Sequence, residues 1–354
     1  MPKKVAYCTG FWCTNIGNAF FSLGVEHVLK QIFGDENVTV VSDYQTYTTG
    51  YGKRLYPHKN QLEYLSGLDV DFVVLAGPVL SKYFLTLWSD ILVRLEKRGV
   101  RYLILSAGMM KMDEKSLAEC REFFKQHPPF ALCTRDRKTF ESFGDLAERA
   151  YDGICFSFFA PDYYHPCGIG GKFITLNFDK IGEPVIWADD SEGSDSFEFE
   201  GKQFHVRKKW LFSDTAAKTD RLSDALIYVA SFFPQKKRPD TIGNYKVFRT
   251  DHRFHPHFRK KIYGQNNSFC ADVPYGYINL YANTELTLSD RVHACAVTMA
   301  FGHSAMLFAK TNRVGLLDRV GAGDISLRPV KLDLQYVESE KERMTRWLSD
   351  VLLP

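Results

Sequence analysis

One junction in the 354-residue chain combines residue types that act on anions: Ser289-Asp290-Arg291-Val292-His293. An arginine stays charged at any physiological pH and can hold a phosphate or carboxylate through two parallel N–H bonds. A histidine titrates near neutrality and can give or take a proton. The apolar stretch Leu286–Ser289 precedes them, and a run of small residues ending at Gly302 follows. This pattern predicts a strand passing directly into a helix, with Arg291 and His293 on the turn. Ligands bind at the carboxyl ends of strands in open α/β sheets. The first turn of a helix also offers unpaired N–H groups and the positive end of its dipole. Arg291 and His293 are therefore the catalytic candidates, in a site for an acidic substrate.

Other loops that follow apolar strand signals carry similar groups. The first is Asn15-Ile16-Gly17-Asn18, where Gly17 allows close backbone approach and Asn15 and Asn18 can donate and accept. Then come Ala76-Gly77-Pro78, Ser106-Ala107-Gly108 and Cys133-Thr134-Arg135-Asp136, and finally Lys310-Thr311-Asn312-Arg313. Taken singly, these are turns, caps or an exposed Arg135–Asp136 ion pair. Taken together, they place anion-compatible groups at equivalent points of both halves. Gly10 and Gly17 are too far apart for a dinucleotide fingerprint, and no Walker A, nucleophile-elbow or H-E-x-x-H motif occurs. His252, His255 and His257 lie among Arg253, Arg259, Lys260 and Lys261 rather than carboxylates. They read as a solvated basic face, and no metal site is expected.

Alternating strand and helix signals must position these loops. Lys4–Cys8, Val38–Val41, Asp71–Ala76, Tyr102–Ser106 and Phe130–Cys133 read as strands. Helical spacing over 18–33, 84–97 and 115–126 separates several of them. That rhythm predicts an α/β protein with doubly wound parallel sheets. Pro and Gly cluster over Pro161–Gly171, which sets the expected division at 1–165 and 166–354. Residues 189–209, acidic and then basic, read as a hairpin or surface insertion. A helix signal covers Arg221–Phe233, and a closing helix over Arg343–Leu353 could pack back on the first half. The eight cysteines are scattered without zinc spacing, and a net charge of +3 is too mild to call for nucleic acid. No apolar run nears the ~20 residues that span a bilayer. A cytoplasmic, soluble protein is expected.

Three of these segments resemble the polysaccharide pyruvyl transferase family: Asn15–Asn18 before an amphipathic helix, Cys133–Asp136, and, most specifically, Leu288–His293 with the helix and strand beyond it. One departure is Ala76-Gly77-Pro78, where members show three glycines. Another is the absence of an acidic residue soon after Asn18. The resemblance implies a fold similar to GT-B glycosyltransferases: two Rossmann-like domains, acceptor side first and donor side second, facing a cleft. It implies transfer of a pyruvyl group from phosphoenolpyruvate to two hydroxyls of a sugar in a polysaccharide or glycoconjugate, giving a ketal and phosphate. Phosphoenolpyruvate is then a donor substrate and no cofactor is needed. Arg135, Arg291 and Lys310 would bind the donor, His293 would act as acid–base catalyst with Arg291, and Asn15 and Asn18 would face the acceptor. The acceptor is left open between a free, nucleotide-linked, lipid-linked or polymeric sugar. A lipid-linked one would bring the protein to a membrane surface. The competing readings are a GT-B glycosyltransferase with a nucleotide-sugar donor and a non-catalytic sugar- or phosphate-binding relative.

Overall fold

The computed structural model describes residues 2–10, 12, 15–42, 63–179, 181–188, 195–207, 237–252, 264–309 and 311–353. Six strands form the first sheet: β1 (Val5–Thr9), β2 (Val38–Ser42), β3 (Phe72–Ala76), β4 (Arg101–Ala107), β5 (Ala131–Thr134) and β6 (Arg149–Asp152). Their order is β2-β1-β3-β4-β5-β6, and every pairing is parallel. β1, β3 and β5 are buried along their whole length. Parallel strands covered on both faces read as continuous apolar runs, which explains why they were visible in the sequence. Helices α1 (Gly17–Phe33), α2 (Asp90–Lys97), α3 (Glu114–Gln126), α4 (Arg137–Phe143) and α5 (Ala160–Tyr163) belong to this half. The predicted helix over 84–97 opens instead with a wide π turn, Leu85–Ser89. There Ser89 Oγ donates to the Leu85 carbonyl at 2.6 Å and competes with the regular backbone ladder.

The second sheet contains β7 (Phe173–Asn177), β11 (Thr241–Ile242), β12 (Tyr245–Thr250), β13 (Ser268–Phe269), β14 (Leu286–Ser289) and β15 (Ser304–Leu307). Its order is β11-β12-β7-β14-β15, with β13 beside β12. All pairings are parallel except the β11–β12 hairpin. The acidic-then-basic segment contributes β9 (Asp195–Phe199) and β10 (Lys202–Arg207), a hairpin turning at Glu200-Gly201. It pairs with β8 (Val185–Trp187) in a small separate sheet. The helix signal at 221–233 lies outside the described residues. Helices α6 (Tyr275–Tyr281), α7 (Val292–Ala300), α8 (Gly315–Asp318) and α9 (Leu334–Leu352) complete the set. α9 starts nine residues before the predicted Arg343, where Asp333 accepts from the amides of Gln335 and Tyr336. Its first turns carry mostly polar side chains, so they showed no apolar stripe. No described helix is long and apolar enough to cross a membrane.

One apolar core joins both sheets. Phe21, Phe156 and Phe158 from the first half meet Val292, Cys295, Met299 and Leu316 from the second, with Met344 and Leu348 of α9 in the same cluster. Each fully buried phenylalanine contributes about 1.5–3 kcal/mol. α9 lies against the first sheet: the Met344 sulfur accepts from the Ile154 amide at 3.3 Å, and Trp347 packs 5.2 Å from Tyr151. Both sheets reverse strand order beside their first strand, at β1/β3 and at β7/β14. Such switch points open crevices at the carboxyl ends.

Candidate active site

At the second switch point the ends of β7 and β14 are locked together. Ser289 pairs in register with Asn177, and its hydroxyl donates to Asn177 Oδ1 at 3.0 Å. The same hydroxyl accepts the Arg291 amide at 2.8 Å. This turns the chain at Arg291, the extended residue that caps α7. The Arg291 guanidinium, only 6% exposed, forms an ion pair with buried Asp179 just past β7. The other Asp179 oxygen accepts the His252 amide at 2.9 Å. From His252 the network continues through Tyr281 OH (2.6 Å) to Thr250 (3.1 Å), which accepts from Asn177 Nδ2 at 3.0 Å. Arg291 is thus aimed by a closed polar ring. His252 is fully buried. For that residue the solvated basic face expected from its neighbours is wrong, because the ring and the packed Phe20, Tyr277 and Tyr281 rings enclose it. His255 and His257 lie outside the described residues. Asp179→Ala would leave the buried guanidinium with only the Asp290 carboxylate, 3.9 Å from Nε, so we expect a loss of up to about 3–5 kcal/mol in chemical unfolding.

Arg135 leaves the end of β5 and is 3% exposed. The alternative of an Arg135–Asp136 ion pair is not what forms: Asp136 caps α4 by accepting from the Thr139 amide (2.9 Å) and hydroxyl (2.8 Å). The Arg135 guanidinium stands 5.4 Å from the centre of the Phe21 ring. Its Nη1 is buried and has no hydrogen-bond partner among the described residues. Room for it comes from Gly108, where an added Cβ would lie 2.6 Å from Arg135 Nε. Phe21 in turn needs Gly77, whose φ is +78° and whose Cβ would sit 2.3 Å from the ring. The two glycine turns of the sequence therefore shape the pocket of Arg135. We expect Gly108→Ala to displace the guanidinium and weaken anion binding at least about tenfold, with little change in Tm; titration calorimetry with phosphate measures it.

A third cation joins them. Arg313, beyond β15, reaches across to Met110 of the first half, with Nη2 3.3 Å from its sulfur. Its pKa is lowered to about 10, first by burial and then by repulsion from Arg135 and Arg291. It still remains charged at neutral pH. No carboxylate among the described residues pairs with Arg135 or Arg313. Sequence reasoning placed the point charge of this loop on Lys310, which lies outside the described residues, and passed over Arg313. Its signal was a second cation three residues further along the same loop.

His293, 4% exposed, sits on the first turn of α7. Its ring is 5.4 Å from that of Phe21, so Phe21 touches both His293 and Arg135. Nε2 lies 3.9 Å from the sulfur of Cys155. Asn15 and Asn18 flank the start of α1, with Asn15 Nδ2 3.4 Å from Asn18 Oδ1. The Ile16 amide donates to the His252 carbonyl at 2.8 Å, and a Cβ on Gly17 would meet His252 Nδ1 at 2.9 Å. The asparagine loop is therefore anchored on the residue that holds Asp179. Among the described residues, no group of three His, Cys, Asp or Glu is placed to hold a metal.

A family model described as "Polysaccharide pyruvyl transferase" matches residues 15–309, from the asparagine loop to just past β15. The chain belongs to the polysaccharide pyruvyl transferase family. That makes it a transferase by family. Among solved structures, a UDP-N-acetylglucosamine 2-epimerase is 10% identical with a TM-score of 0.50, covering 99% of this chain and 91% of its own. S. aureus MnaA in complex with UDP is 12% identical over the same shares, at 0.48. CalG4, the calicheamicin glycosyltransferase, is 12% identical at 0.38, covering 100% and 94%. At 10% identity the likeness to the epimerase is one of fold, and this pyruvyl transferase family member has the GT-B architecture. No curated protein sequence matches the chain.

Proposed function

We propose that the protein transfers a pyruvyl group from phosphoenolpyruvate to two hydroxyls of a sugar. The observation that supports this most is the buried Arg135 guanidinium, one nitrogen of which has no partner among the described residues and which shares the Phe21 ring with His293, while repulsion from Arg135 and Arg291 helps lower the pKa of Arg313. An unpaired buried guanidinium costs several kcal/mol unless an anion answers it. Phosphoenolpyruvate carries a phosphate and a carboxylate, enough charge to answer Arg135 and Arg313, while Asp179 and Asp290 flank Arg291. Lys310 follows β15 in the same loop as Arg313 and completes the donor set.

In the reaction the donor's methylene carbon takes a proton, and one sugar oxygen bonds to the neighbouring carbon. The carbon–oxygen bond to phosphate breaks, and the second sugar oxygen takes its place. Of the two hydroxyl protons lost by the sugar, one balances the new methyl group and the other leaves on phosphate. His293 serves as acid–base catalyst for these transfers. The arginines stabilise charge on the departing phosphate. Asn15 and Asn18 face the acceptor, which a cytoplasmic enzyme of glycan assembly would meet as a free or carrier-linked sugar.

A thermal-shift comparison tests the donor. Phosphoenolpyruvate at 100 times its Kd should stabilise the protein by about 2.7 kcal/mol, and a uridine diphosphate-sugar should not. Stabilisation by the nucleotide sugar alone would favour glycosyl transfer instead. Binding of phosphoenolpyruvate without phosphate release for any sugar would leave a binding protein.

A further inference from the structure

Cys155 lies between Ile154 and Phe156 in the sequence, yet its sulfur is the meeting point of three polar groups. It is fully buried between β6 and the turn Phe156–Phe159. Ser157 Oγ donates to it at 3.2 Å, Ser106 Oγ lies at 3.7 Å and His293 Nε2 at 3.9 Å. Ser106 is held at φ +51°, in the left-handed region, where the β4–β5 register shifts between Ile104 and Ala107. A non-glycine residue in that conformation carries strain, and strained residues cluster where geometry is set for function.

The protons can be counted. The Ser157 hydroxyl points at the sulfur. Ser106 Oγ accepts the Phe156 amide at 3.4 Å and lies 3.7 Å from the sulfur, where either the hydroxyl or the thiol can donate. With the Ser157 proton, and the Ser106 proton when that hydroxyl donates, directed at the sulfur, the basic acceptor beside the thiol is His293 Nε2 at 3.9 Å. Which nitrogen of a histidine carries its proton is set by the bond the other one makes.

We propose that Cys155 is a positioning residue for the reaction. Its thiol donates to Nε2 of His293 and holds the imidazole, against Phe21, as the tautomer protonated on Nδ1. The serines act one step further out, by orienting the thiol. Only the kinetic consequence rests on the pyruvyl-transfer reading; the tautomer belongs to the resting protein.

The experiment uses the full chain, labelled with nitrogen-15. Long-range proton–nitrogen spectra report the tautomer of His293, whose signals are identified by their loss in His293→Gln. The wild type should show Nδ1–H. Cys155→Ala should mix the two tautomers and lower kcat up to about 100-fold, with KM for phosphoenolpyruvate within about twofold. Cys155→Ser, which keeps a hydroxyl donor, should retain the tautomer and most of kcat. An Nε2–H form in the wild type would overturn the proposal, as would an unchanged His293 spectrum in Cys155→Ala or a lost tautomer in Cys155→Ser. If the wild type shows the Nδ1–H form but transfers no pyruvyl group, the proposed function fails and the thiol–imidazole bond stands.

Discussion

Arg135→Met should make the unliganded protein more stable and at the same time weaken its response to phosphoenolpyruvate. The two effects have one cause. Arg135 is 3% exposed, faces no carboxylate among the described residues, and is repelled by Arg313. Its contact with Phe21 compensates only in part; a cation over an aromatic face returns about 2 kcal/mol when desolvated. The desolvation penalty is several kcal/mol. Methionine fills comparable space with no charge, so stability should rise by about 1–4 kcal/mol, the range seen when buried charges give way to apolar groups. Losing a guanidinium that grips an anion in a buried site costs about 2–5 kcal/mol of binding, or at least about 30-fold in Kd. Thermal unfolding with and without phosphoenolpyruvate measures both. A residue serving the fold alone would give the opposite first result. The contrast with Asp179→Ala is informative, since that change removes a partner from a buried charge and should destabilise.

His293→Gln should separate chemistry from binding. A histidine acting as general acid–base contributes about 10²–10⁴ in rate. Donor affinity should hold within about threefold, because the anion is gripped by the arginines. We therefore expect kcat to fall by two to four orders of magnitude while phosphoenolpyruvate still raises Tm. Glutamine keeps the volume and one polar contact near Cys155, so the fold should survive. Equal losses in kcat and in donor affinity would make His293 a binding group.

How much of this was legible depends on whether a residue's neighbours in sequence are also its neighbours in space. Ser289–His293 was readable because strand, polar turn and small-residue helix follow one another without interruption. The register between Ser289 and Asn177 then fixes the turn. Arg135 was readable as a strand-end cation, but its separation from Asp136 was not. An Asp preceding a helix is drawn to the helix amides, and that freed the arginine. Arg313 was hidden by Lys310, since charge along a loop does not say which side chain faces inward. Cys155 was hidden for a different reason: a cysteine beside the apolar Phe156 and Phe158 has the profile of a core residue. Only the fold brings Ser106 and His293 to it. His252 was misread because its flanking arginines and lysines suggested solvent, while Asp179 and Tyr281, far off in sequence, bury it.

The most direct measurement is product analysis by mass spectrometry and phosphate assay, after incubation of the wild-type protein with phosphoenolpyruvate and a panel of hexose, nucleotide-sugar and lipid-linked sugar acceptors. Pyruvyl transfer predicts one acceptor that gains a cyclic pyruvyl ketal, with one phosphate released per ketal and both products strongly reduced for Arg135→Met at the same donor concentration. A product that carries a whole sugar from a nucleotide donor, or no phosphate release with any acceptor despite bound phosphoenolpyruvate, would contradict it.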